Sequence, residues 1–248
     1  MKSLIHKTAL ISPGALLSSN VRVGPYTIIH AGVEIGSETE IGSHCELGVS
    51  TNLTTKQKLV IGESSHIRSH NVFYIGSFFG ANMVTGHHVT VREDTHAGCN
   101  LQIGTKGDIQ GHCSFGDYVK THSNVHIGQN SRIGSYVWMF PDVLLTNDPN
   151  PPSETLLGPI VGDYAIIASK ATLLPGVHLG RECVIGAHSL VGIDVPDGKL
   201  AIGSPAKIIG PASILRMQGD PSKKAYPWKD RYTLPYPDDV VRQWMADD

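Results

Sequence analysis

The chain of 248 residues is poor in aromatic residues, at 6%, and poor in charge, at 17%. Twenty Lys and Arg against 22 Asp and Glu leave a formal net charge of -2. Such a balance gives nucleic acid and anionic membranes no electrostatic hold, so neither is expected as a partner. No apolar run approaches the length of a bilayer span, and MKSLIHKTAL lacks the apolar centre of an export signal, so a cytoplasmic protein without membrane insertion is expected. The four cysteines include no CxxC pair, which argues against a zinc site or a disulfide framework; no metal is expected.

What the chain has is a six-residue rhythm. An aliphatic residue returns at Ile5, Ile11, Leu17, Val23, Ile29, Ile35, Ile41, Leu47, Leu53 and Leu59. After a slip of two, the series continues from Ile61 through Ile67, Phe73, Ile103 and Ile127 to Leu145, and a last block runs from Val161 to Val191. Four positions after each aliphatic residue stands a small one, and Cys45, Cys113 and Cys183 fall there as compact apolar residues, while Cys99 lies on a turn. A period of six is neither helical nor a simple strand alternation. It describes short parallel strands separated by turns, three to a triangular coil, with the aliphatic column inside. The expected fold is all-β, a prism of about ten coils, roughly 45 to 50 Å long at the usual strand spacing of ~4.8 Å.

Breaks in the rhythm set the organisation. The prism is expected over residues 1–210, with a small excursion near Thr54 to Lys58 and a Pro-rich loop over 146–159. A loop inserted in an otherwise continuous solenoid points to binding or to a subunit contact. Residues 211–248 form a tail with a helix near 237–247, where Asp238 and Asp239 supply acids at the start and Val240, Val241, Trp244 and Met245 an apolar face. The tail is expected to cover the end of the prism or a neighbouring subunit.

Residues separated by eighteen positions stack on successive coils. His70, His88, Lys106, Asn124 and Asp142 therefore form a polar ladder along one corner, a candidate acceptor site. Beside it His122 occupies the place held by Gly86 and Gly104 in the two preceding coils, and His126 closes the same hexad, where it could orient a substrate. Polar corners are also ordinary solvated turns, and Asn at position 124 suits a left-handed turn whether or not it has a further role.

The hexapeptide rhythm resembles that of the left-handed parallel β-helix acyltransferases, and the left hand is implied by the resemblance. The succession ATLLPGV, VIGAHSLV, VPDGKLAIGSPAKIIG is similar to the terminal coils of the acyl-CoA-dependent members. That likeness implies acetyl-CoA as co-substrate, main-chain groups of Ala168 and Ala187 flanking the pantetheine, Lys207 near a phosphate, and a homotrimer. The segment TNDPNPPSE resembles nucleotide-sugar N-acetyltransferases of surface-polysaccharide pathways, with Asn147 and Asp148 where hydroxyl-modifying members carry a histidine. The likeness also puts Asn124 on the turn of those enzymes.

The leading expectation is therefore an acetyl-CoA-dependent N-acetyltransferase acting on a nucleotide-linked amino sugar, since a neutral amine attacks a thioester without a strong base. His122 and Asn124 are its candidate catalytic residues, with His88, Lys106, His126, Asp142, Asn147 and Asp148 as candidate substrate contacts. The alternative is an O-acyltransferase using His122 as base, because a hydroxyl must lose its proton as it attacks. The coils IIHAGVEIGSETEIGSHCELG resemble UDP-N-acetylglucosamine acyltransferase and keep that alternative open. A zinc carbonic anhydrase on the same prism needs an H-x4-H pair, and this chain has His122-x3-His126 and His66-x3-His70 instead. A non-enzymatic scaffold is disfavoured by the loop and by the acyl-CoA-like ending.

Overall fold

The structure is a computed structural model that describes residues 3–232 and 236–246. Nearly every hexad becomes a two-residue strand and a turn, and the strands stack into three sheets. The first face runs in parallel from Leu4–Ile5 to Lys199–Gly203, the second from Leu10–Ile11 to Leu190–Val191, and the third from Leu16–Leu17 to His178–Leu179. Together they make a left-handed parallel β-helix.

The coil closes because its corners turn within one residue. His88, Lys106, Asn124 and Asp142 sit at φ of 56°, 58°, 59° and 63°, and the other two corner columns contain many residues in the same left-handed region. The small inward positions carry a second duty, since corner carbonyls point toward them. Thr27 Oγ1 donates to the Gly42 carbonyl at 2.7 Å, Ser131 Oγ to that of Gly128 at 2.6 Å, and Asn71 Nδ2 to that of Arg68 at 2.9 Å. Fully buried polar side chains are thereby satisfied. The aliphatic column forms one continuous core in which Phe73 and Phe79 meet edge to face at 5.3 Å.

Two expectations are corrected. Leu53 is 56% exposed and contributes to no coil. Glu46–Val49 is followed by a loop to Leu59–Ile61, and the register pairs Ile35 with Ile61, so the excursion is longer than 54–58. A leucine in phase with the rhythm concealed it, although the Thr-Thr-Lys-Gln-Lys after Leu53 offers no small inward residue. The tail, in turn, does not close the end of the prism. A hairpin does so, with Ala206–Pro211 antiparallel to Lys199–Gly203.

The tail lies instead along the first face. Its helix spans Asp238–Ala246, and Trp228, Tyr236 and Trp244 are buried with Tyr164, Ile166, Val184 and Leu200 of the prism, while Val240 and Val241 pack against that cluster. The side chain of Met245 lies outside the described residues. The cause is in the outward residues of the first face. Arg22, Glu40 and His66 are polar, whereas Trp138, Ile166, Val184 and Leu200 present an apolar strip that has to be covered.

Candidate functional site

Immediately after each strand of the first face comes one column of residues in register: Gly42, Arg68, Gly86, Gly104, His122, Phe140 and Ala168. Added Cβ atoms at Gly86 and Gly104 would collide with the backbone of Thr105 and of His122, so these two sites stay bare and make the floor of a groove. Arg68 and His122 rise at its two ends. The cavity between them, about 250 Å³, is also lined by Gln102 and Lys120.

His122 is half-buried, and its ring stacks on Phe140 at 4.9 Å with 15° between the planes. Its Nε2 is buried with no hydrogen-bond partner among the described residues. Burial, and then the nearby Lys120 ammonium, hold the imidazole pKa below the ordinary histidine value. Lys120 is itself fixed, with Nζ 4.5 Å from the centre of the Trp138 ring. The result is an imidazole held toward its neutral form on the wall of a cationic groove, with one ring nitrogen shielded and unpaired; the neutral form is the one required of a base.

Across the same corner, on the second face, stands a different pair. His126 Nδ1 lies 2.9 Å from Asp108 Oδ2, and Gln110 Nε2 donates to both carboxylate oxygens at 2.8 Å. The hydrogen bond from His126, more than any other cause, holds the Asp108 carboxyl below the usual carboxylate range. An ionised Asp108 accepts, so the His126 Nδ1 facing it carries a proton. Asp108 was not singled out in the sequence. The signal was available, because 108 and 126 are eighteen apart at the outward position of adjacent strands.

The polar ladder exists as a stack but is largely spent on itself. Rings of Tyr26, His44, His70 and His88 follow one another at centroid distances of 5.1, 4.9 and 4.7 Å, and Asn124 Nδ2 donates to Asp142 Oδ1 at 3.0 Å. Lys106 is exposed at the step between them. His44 belongs to the ladder although 26 residues separate it from His70; the excursion after Val49 hid the spacing. Desolvation and the neighbouring imidazoles lower the pKa of His70.

The loop residues fold the loop. Asp148 accepts from the backbone N–H of Asn150 and of Ser153 at 3.2 Å each, and hydrogen bonding from Ser153 lowers its pKa. Asn147 bridges the base, its Nδ2 donating to Gln129 O at 3.3 Å and its carbonyl accepting from Leu157 N at 2.7 Å. Both stand at the corner after the second face, the side of His126 rather than of His122.

The expected cofactor residues lie beyond Phe140. Ala168 is in register with Gly186, so Ala187 stands one residue out of line with it, and the Ala168 N–H is already used, donating to Ile185 O at 3.0 Å. Ala187 and Lys207 are exposed, Lys207 on the terminal hairpin opposite Ile202. Among the described residues no cluster of His, Cys, Asp and Glu has metal-ligand geometry, and no helix is long and apolar enough to cross a membrane.

A known family signature, "Bacterial transferase hexapeptide (six repeats)", matches residues 14–49. The chain is 33% identical over 206 residues to an acyl-[acyl-carrier-protein]–UDP-N-acetylglucosamine O-acyltransferase of Stutzerimonas stutzeri, an alignment covering 83% of this chain and 73% of that protein. A 2,3,4,5-tetrahydropyridine-2,6-dicarboxylate N-acetyltransferase of Staphylococcus aureus is 31% identical over 93 residues, 38% of this chain and 33% of that one. Among solved structures, the UDP-N-acetylglucosamine O-acyltransferase of Moraxella catarrhalis superposes with a TM-score of 0.44 at 22% identity, covering 84% of this chain and 74% of that one.

Proposed function

The chain belongs to the hexapeptide-repeat acyltransferases, and from that premise we propose that it transfers an acyl group from a thioester to a hydroxyl of a nucleotide-linked sugar, with His122 as general base. The observation that carries the reading is the buried, unpartnered Nε2 of His122. The His122 imidazole takes the proton of the sugar hydroxyl as its oxygen attacks the thioester carbonyl. The C–S bond then breaks and the thiolate recovers the proton from the imidazolium, leaving ester and free thiol. The donor is an acyl thioester of coenzyme A or of a carrier protein, entering from the Ala168, Ala187 and Lys207 end.

The expectation of an amine acceptor gives way to its alternative. Two observations favour the hydroxyl: the poised imidazole, and a likeness that runs over 83% of the chain to an O-acyltransferase but over 38% to an N-acetyltransferase. A bare amine would leave the imidazole without a task. In this reading a homotrimer supplies the second wall of the groove, and the loop at 146–159 reaches toward a neighbour.

Product analysis tests the acceptor chemistry. Incubation with acetyl-CoA or a longer acyl thioester and UDP-N-acetylglucosamine should release thiol and give a product heavier by one acyl group that alkaline hydroxylamine cleaves. An amide, stable to hydroxylamine and formed only from amino sugars, would overturn the hydroxyl reading.

A further inference from the structure

We propose that the column of the first face from Gly42 to His122 is the binding track of a nucleoside diphosphate sugar, with Arg68 as the diphosphate contact. The inference rests on the acceptor reading above and adds where, and in which direction, the nucleotide lies.

The track has three parts. At one end the His122 side chain lines the groove. In the middle Arg68 Nη1 donates to the Thr85 carbonyl at 2.9 Å, which anchors the guanidinium one coil beyond its own, beside Gly86. Past Arg68 the groove widens into a cavity of about 840 Å³ that also includes Gly42, Ser43, His66, Ile67 and His87. Arg68 lines both cavities and so joins them.

Spacing sets the direction. The coils of Thr85 and Thr121 are two steps apart, about 10 Å at ~4.8 Å per coil. A phosphate oxygen bonded to the guanidinium and a hydroxyl bonded to the imidazole use ~3 Å each. The remaining ~4 Å or a little more matches the span of one sugar ring lying over bare Gly86 and Gly104. Charge sets the ligand. The narrow cavity holds Arg68, Lys120 and His122 and no acid, while in the wider one Glu40 is neutralised by Arg22 at 2.9 Å. With Arg68 between them, Lys120 in the ring-sized space and Lys7 in the nucleoside-sized one, both cavities favour an anion, and their sizes suit a sugar ring on one side of a diphosphate and a nucleoside on the other.

UDP is the probe, titrated calorimetrically into the full-length protein at low salt. Wild type should bind UDP, Arg68→Gln should weaken binding about tenfold or more, and Arg68→Lys should fall between. In turnover, Arg68→Gln should raise KM for the sugar nucleotide while KM for the acyl donor stays unchanged. Because Arg68→Lys retains the charge and the stem, intermediate affinity at an unchanged melting temperature separates contact from folding. If both variants bind UDP as wild type does, or wild type binds no UDP, the track is wrong. The binding assay involves no acyl transfer, so an amide product would sink the hydroxyl reading and leave this result standing.

Discussion

Replacing His122 by Asn gives the sharpest test of the chemistry. Asn keeps a polar side chain of similar reach but cannot take a proton near neutral pH. A positioned base contributes ~10² to 10⁴ in rate. At ~1.4 kcal/mol per factor of ten, this corresponds to ~3 to 6 kcal/mol of barrier. The structure also fixes the direction of the pH dependence. Burial holds the His122 pKa below its ordinary value, so wild-type kcat should be on a plateau at neutral pH and fall only below the normal histidine range. Phe140 covers one face of the ring. Phe140→Ala would admit water, relieve the desolvation and move that acid limb upward toward pH ~6.5. The assay is thiol release across pH at saturating acyl donor and sugar nucleotide. If His122→Asn retains turnover within tenfold with its acid limb intact, while His126→Asn abolishes both, the base is the Asp108-backed imidazole and the reasoning fails.

Excising Asn150 to Glu154 should abolish activity while leaving the melting temperature nearly unchanged, because Leu157 N and Asn147 O close the loop base at 2.7 Å; wild-type turnover in the shortened protein would refute a functional loop. Of the four thiols, native protein should expose only Cys99 to a disulfide reagent, and all four should react after denaturation, since burial pushes Cys113 and Cys183 up to about 12. Trp228→Ala should cost about 3 to 5 kcal/mol and abolish the near-ultraviolet circular dichroism of the tail cluster, because Trp228 is 5% exposed and its Nε1 donates to Tyr164 O at 3.0 Å. Light scattering should give three times the chain mass, and a stable active monomer would exclude the shared groove.

The rod was legible because a six-residue period survives any surface variation. Ile29, Leu47 and Ile127 are each buried as their phase demands. Leu53 shows where phase misleads, since a residue can keep time while its neighbours lack the small inward partner that builds a coil. Site residues were harder for a related reason. His122 was visible as a bulky residue among glycines, but its poise depends on Phe140 and Lys120, one from the next coil and one from the adjoining strand. Asp108 escapes a comparison of corners, because the dyad lies on outward strand positions. Asn147 and Asp148 look like catalytic replacements in one dimension, and in three they tie the loop together.

The two ends of the rod are finished differently. Ile5, at the inward position of the first strand, is 43% exposed and Ala9, Ile11, Ala15 and Leu17 are only partly buried, whereas the far end carries a hairpin and an aromatic clasp. In a molecule whose coils touch only their neighbours, opening is a nearest-neighbour process that starts where the terminal contact is weakest. Amide hydrogen exchange should therefore form a ramp rather than a plateau, fast in the first coils and slowing coil by coil toward the clasp. The groove from Gly42 to His122 lies partway up that ramp, so its wide nucleoside-sized end should breathe more readily than its imidazole. Such a gradient would let ligand enter and leave at the loose end while the reacting end keeps its geometry.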